Sequence, residues 1–197
     1  DPFGIIEVKY YDGALYVNEL NYQSENKIKD KLTTTERTQI EGHEEGLVIW
    51  LFNKLGINKN YPIVCDNNRP DKVIALRKNG FDKAVTADKG AGSILEGIDT
   101  LLGLKVYYTS NSINIAEEQE NYSRKVDRHG AVEEEPEDAN NHTIDPLRYV
   151  AMKMKKHGLL KIIGAILLLV MIASFALNGR NDVKDYLGFG DLMINGF

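Results

Sequence analysis

The sequence holds a single cysteine, Cys65, so no disulfide can form within the chain. That usage fits a reducing compartment. In Tyr-Pro-Ile-Val-Cys-Asp the thiol reads as a small strand residue rather than a reactive group. No P-loop is present: the glycine-rich 90–93 lacks the Gly-Lys-Ser/Thr ending, which excludes an ATPase in this chain. Basic charge is also in short supply, with 24 Lys and Arg against 29 Asp and Glu and a net charge of −5. A general polyanion binder is excluded, and contact with nucleic acid must rest on a local basic face or on metal ions. There is no internal repeat, and no long hydrophobic run before the last quarter.

What is present suits one principal domain with an appendage. Segments 4–11 and 14–22 alternate like strands, and Asp12-Gly13 between them is a hairpin signal that wants positive φ at both positions. Segment 26–40 is polar with a run of three threonines at 33–35 and reads as a loop or a loose helix start. From 44 onward helices and strands alternate: helix 44–55 with Leu47, Val48, Leu51, Phe52 and Leu55 inward, and strand 62–66 ending in Asp66. Next come a helix from Pro70 to Gly80 with Val73, Ile74 and Leu76 apolar, strand 81–87, and a helix opened by Gly90-Ala91-Gly92-Ser93. Strand 105–109 follows, and Asn114 with Glu117 predicts a capping box for a polar helix toward Arg124. The acidic 133–138 reads as a solvated loop. This is an α/β layer structure with a mixed sheet.

Composition then shifts. Segment 159–177 carries only Lys161 as a charge, and about 20 apolar residues in a helix cross a bilayer core. A transmembrane helix is therefore predicted there, with Lys153, Lys155, Lys156 and Lys161 putting the preceding side in the cytoplasm.

The chemistry-bearing residues are Asp66, His142 and Asp145. His142 and Asp145 lie three apart ahead of an apolar helical run, a spacing that can put imidazole and carboxylate on one face. Asp66 ends a strand, where active residues of open α/β sheets gather. Two carboxylates brought together repel unless a cation lies between them, and a divalent metal that activates water for phosphodiester hydrolysis is the simplest resolution. The other reading is that Asp66 caps a turn, since Asp-Asn-Asn-Arg-Pro is rich in turn formers. Pro146 after Asp145 lets the helix start at Pro146 with Asp145 as its N-cap. His43 reads as a surface histidine and His129 as a turn residue. Gly90-Ala91-Gly92-Ser93 could receive a phosphate at a helix start, and Lys72, Arg77, Lys78 and Lys83 could form a DNA-facing edge or a solvated helix face.

Five pieces in order carry a resemblance: Asp1-Pro2 with the hairpin; Ile63-Val64-Cys65-Asp66; 72–80 (Lys-Val-Ile-Ala-Leu-Arg-Lys-Asn-Gly); Lys89-Gly90-Ala91-Gly92-Ser93-Ile94; and 141–149 (Asn-His-Thr-Ile-Asp-Pro-Leu-Arg-Tyr). With them, 1–153 resembles the C-terminal nuclease domain of phage terminase large subunits, which has an RNase H-like fold. The resemblance implies a Mg²⁺- or Mn²⁺-dependent endonuclease that cuts concatemeric viral DNA during packaging. Asp66 matches the second metal-binding acid, Asp145 the last, and His142 the neighbouring histidine. Implied partners are double-stranded DNA, a terminase ATPase domain, portal and procapsid, in the host cytoplasm. The family's first aspartate lies on the strand just before the Asp-Pro, so the chain is expected to be a fragment lacking that first strand, with weak or no activity. From 154 to 197 the chain resembles instead the start of an integral membrane protein or a signal anchor. The competing expectation is a membrane-anchored, non-catalytic binding protein that contacts the bilayer through 159–177.

Overall fold

The computed structural model describes residues 2–41 and 46–158. The predicted membrane helix at 159–177, Asp1 and His43 lie outside them. Among the described residues no helix is long and apolar enough to cross a membrane.

Strands β1 (Phe3–Tyr11) and β2 (Ala14–Gln23) form the expected hairpin. Asp12 and Gly13 turn it at φ 48° and 77°, the positive values the dipeptide predicts. Two short helices follow, α1 (Glu25–Asp30) and α2 (Thr34–Ile40), where a loop or a loose helix start was expected. The reason is capping. Ser24 accepts from the Lys27 N–H, and Thr33 and Glu36 close a reciprocal capping box, so each helix start satisfies its own orphan donors.

The alternating part comprises α3 (Gly46–Lys54), β3 (Ile63–Cys65), α4 (Pro70–Lys78), β4 (Ala84–Thr86), α5 (Ser93–Leu102), β5 (Lys105–Tyr108) and α6 (Ile113–Asn121). After these come β6 (Arg124–Val126), β7 (Val132–Pro136) and α7 (Ile144–Lys156). Strands β1, β2 and β5 make one mixed sheet, with β2 antiparallel to β1 and parallel to β5. Strands β3 and β4 form a separate parallel pair, so the expected mixed sheet is split into ladders. The acidic 133–138, expected as a loop, contributes β7 to an exposed antiparallel hairpin with β6.

β1 is shared between two cores. Ile6, Val8 and Tyr10 pack with Leu15, Val17, Leu101, Tyr108, Ile115, Leu147 and Ala151. Phe3 and Ile5 pack instead against Val48, Phe52, Val73, Leu76, Phe81 and Ala84. The strand's alternation thus ties the sheet and α7 to the β3–β4 unit. Ile74, expected among the apolar residues of the helix from Pro70, is more than half exposed. The predicted Asn114–Glu117 box is absent: Ser112 holds the N-cap position of α6 without a side-chain cap bond, and the Asn114 amide donates to Glu19 on β2.

Candidate functional site

Asp66 follows β3 and Lys89 lies just beyond β4. These strands are parallel neighbours with Cys65 opposite Thr86, so both side chains emerge at the carboxyl edge of the pair. Lys89 Nζ lies 2.9 Å from the Asp66 carboxylate. Asp66 also accepts the Asn68 N–H at 2.9 Å, so its turn-forming role is realised as well. Burial raises the Asp66 carboxyl, but the Asn68 N–H, the Lys89 ammonium and the Tyr149 hydroxyl outweigh it and hold the group below the usual carboxylate range.

Asp145 comes from the other side, in the first turn of α7. The helix starts at Ile144 with Thr143 as N-cap, not at Pro146, so Asp145 is free of the capping role predicted for it. Its carboxylate accepts from Arg148 Nη2 at 2.7 Å and the Tyr149 hydroxyl at 2.9 Å. These partners sit three and four positions on, one helical turn along the same face. Arg148 is 3% exposed, and its stem lies over Gly97 of α5, where a Cβ would collide with its Cγ. Tyr149 is also buried. Its phenol is pushed well above its ordinary value by burial, by the Asp145 charge and hydrogen bond, and by the Asp66 charge. The phenol donates to Asp145 and feels the charge of Asp66.

His142 lies just ahead of α7. Its carbonyl presses so closely on β1 that a Cβ at Gly4 would collide with it, and its ring meets Tyr22 edge-on at 6.0 Å. Asp66, Lys89, His142, Asp145 and Tyr149 line one open cleft. Among the described residues, however, no group of three or more His, Cys, Asp or Glu could hold a metal ion. The donors are of the right kind, because carboxylate oxygens are what hard divalent cations take. Lys89 already places one positive charge on Asp66, as a bound cation would. The three predicted residues line one cleft without forming a closed triad.

The other candidates resolve differently. Lys72 pairs with Glu25 at 2.8 Å and Arg77 donates to the Ala84 carbonyl at 2.7 Å, so half of the expected basic edge fastens the fold. The Gly90–Ser93 start of α5 faces Glu135, Asp138 and Asp145 as well as Lys89 and Arg148, a poor setting for a phosphate. His129 sits in the β6–β7 turn. Burial pushes the Cys65 thiol up to about 11, which keeps it protonated and unreactive. Reading the sequence missed Lys89, Arg148 and Tyr149. The spacing of Arg148 and Tyr149 from Asp145 was the available signal for two of them.

Comparisons with known proteins agree with this architecture. The crystal structure of the g2p (large terminase) nuclease domain from bacteriophage SPP1 with bound Mn superposes with a TM-score of 0.54 at 26% identity. The match covers 76% of this chain and 78% of that one. The large subunit of terminase from Bacillus phage SPP1 is 35% identical over 101 residues, 49% of this chain. The match spans only 24% of that relative's length. The family model described as Terminase RNAseH like domain matches residues 5–153. An RNase H-like α/β unit with two acids facing one cleft, matched over three-quarters of its length, makes this chain a member of the terminase RNase H-like domain family.

Proposed function

We propose that the chain is the metal-dependent DNA endonuclease domain of a phage packaging terminase, acting on concatemeric viral DNA in the host cytoplasm. One observation carries this reading: Asp66 and Asp145, from different elements, line one cleft together with Tyr149, whose hydroxyl donates to Asp145. Family membership supports it, as does the Mn bound by the SPP1 nuclease domain.

Asp66 and Asp145 would hold Mg²⁺ or Mn²⁺, with His142 at the margin. When bound, a divalent ion polarises the phosphodiester and makes water a competent nucleophile near neutral pH. The protein's own work is positional. Arg148 and Tyr149 fix the Asp145 carboxylate, and Lys89 is the cation that must leave Asp66. Double-stranded DNA is the substrate, and a terminase ATPase domain, portal and procapsid are the partners. A two-ion site needs more carboxylates than these two, so turnover by this chain is slow.

The test is Mn²⁺-dependent nicking of supercoiled plasmid, with Mn²⁺ binding followed by EPR, for the parent, Asp66→Asn and Asp145→Asn. Slow nicking and binding in the parent, both lost in the variants, is the expected result. Nicking that persists in both variants, or a parent that neither binds nor cuts, overturns the proposal.

A further inference from the structure

Glu118 is an acid on the buried face of α6, one turn after Ile115, and only 2% exposed. Among the described residues it forms no ion pair at all. Its carboxylate instead collects neutral donors. Oε1 accepts the Tyr22 hydroxyl and the His142 N–H, both at 2.8 Å. Oε2 accepts the Thr143 N–H at 2.7 Å, the Ile144 N–H at 3.3 Å and the Thr143 hydroxyl.

The need for an outside acceptor follows from the sequence of α7. A threonine N-cap ordinarily accepts from the N–H two or three residues on. Here Thr143 is the N-cap and the third position is Pro146, which has no N–H. Thr143 makes no cap bond of its own, its hydroxyl donates to Glu118, and the Asp145 N–H is taken by the Asn141 carbonyl. The N–H groups of Ile144, the first residue of α7, and of His142 and Thr143 just before it therefore point at a carboxylate supplied by another helix, where the helix dipole also favours negative charge.

We propose that Glu118 is the positioning residue for the α7 side of the site: it fixes the start of α7, and with it the places of His142 and Asp145 relative to Asp66. The clamp has two jaws. Glu118 holds the N–H groups of 142–144 from one side, and β1 presses on the His142 carbonyl at Gly4 from the other. Asp145 is the next residue along. A change at Glu118 is thus delivered to the carboxylate without touching it.

This proposal rests on the nuclease reading, and its test separates the two. Glu118→Gln keeps the size but turns donors toward donors; Ile115→Ala opens the same buried face of α6 without removing an acceptor. We expect Glu118→Gln to weaken Mn²⁺ binding about tenfold or more, the usual effect of losing a group that orients a ligand, and Ile115→Ala to leave it within about twofold despite an equal loss of Tm. In plasmid nicking, Glu118→Gln lowers kcat and leaves KM for DNA unchanged. Glu118→Asp, which keeps the charge, recovers part of the loss and carries the comparison if Glu118→Gln does not fold. Unchanged Mn²⁺ affinity in Glu118→Gln with a lowered Tm overturns the proposal. If the parent binds no Mn²⁺ the nuclease reading fails, and the amide and imidazole NMR signals of His142 decide instead. They must move in Glu118→Gln and stay in Ile115→Ala; signals that stay in both overturn the positioning role.

Discussion

Replacing Gly4 by alanine tests how tightly the site is built. Gly4 lies in β1 with an ordinary extended backbone, so alanine meets no φ penalty there. The obstacle is space: its Cβ would collide with the His142 backbone carbonyl, far inside the 3.0 Å that Cβ atoms essentially never breach. Backbone cannot swing away as a side-chain tip can. The 142–144 segment is also pinned by Glu118 and cannot retreat alone. Either β1 parts from α7, disturbing Phe3 and Ile5 in their core, or α7 shifts with Asp145. Overpacking of this kind costs about 1–3 kcal/mol. In a domain of this size that is a fall in Tm of roughly 3–9 °C. A shift of about 1 Å in a positioned group is enough to cost on the order of a hundredfold in rate. Thermal melts and Mn²⁺ titrations of Gly4→Ala measure both effects. Gly103→Ala is the control, because its Cβ would meet only the Thr100 and Asp99 carbonyls at 3.6 and 3.8 Å. A Gly4→Ala protein with parental Tm and Mn²⁺ affinity would refute the close approach of β1 to the site.

Three further substitutions probe separate parts. Lys89→Met removes the cation resting on Asp66; since that pair is partly exposed, it should tighten Mn²⁺ binding only by the few-fold that about 0.2–1 kcal/mol represents, and a weaker affinity would show that Lys89 supports the ion instead. Tyr149→Phe should cost about 1–2 kcal/mol at neutral pH through the lost hydrogen bond to the Asp145 carboxylate. The phenol is raised in the folded protein, so its contribution is full below its unfolded pKa of about 10 and is lost as pH rises through the folded value. Denaturant titrations at neutral and alkaline pH should therefore show the gap between parent and Tyr149→Phe narrowing above about pH 10, and a constant gap would contradict the assignment. Thr33→Ala should lower stability by about 1 kcal/mol by opening the capping box of α2, read as a shift in urea midpoint.

Local signals in the sequence were reliable where one element decides its own shape. Asp12-Gly13 turns the hairpin as its residue types require, and Pro70 and Gly80 bracket α4 because each acts through its own backbone. Thr33 and Glu36 spell a capping box that composition hid, since three threonines in a row suggest a loop. β7 was hidden by its acids: paired only with β6 and exposed on both faces, it needs no apolar alternation. The site was legible to the extent that Asp66 ends a strand and Asp145 opens a helix. What holds those acids was not, because Lys89 reaches Asp66 across 23 positions and Glu118 reaches Thr143 across 25. The helix start was misjudged for the same reason: with Glu118 capping from outside, Asp145 need not cap, and α7 begins two residues earlier.

The central claim is that Asp66 and Asp145 act together on one divalent ion. Mn²⁺ binding to the parent, each single Asn variant and the double Asp66→Asn, Asp145→Asn variant tests it most directly. If the acids share an ion, each single change removes most of the binding and the double change adds little, a large coupling between contacting groups. Independent losses that simply add, or a double variant that still binds Mn²⁺ like the parent, would contradict the account.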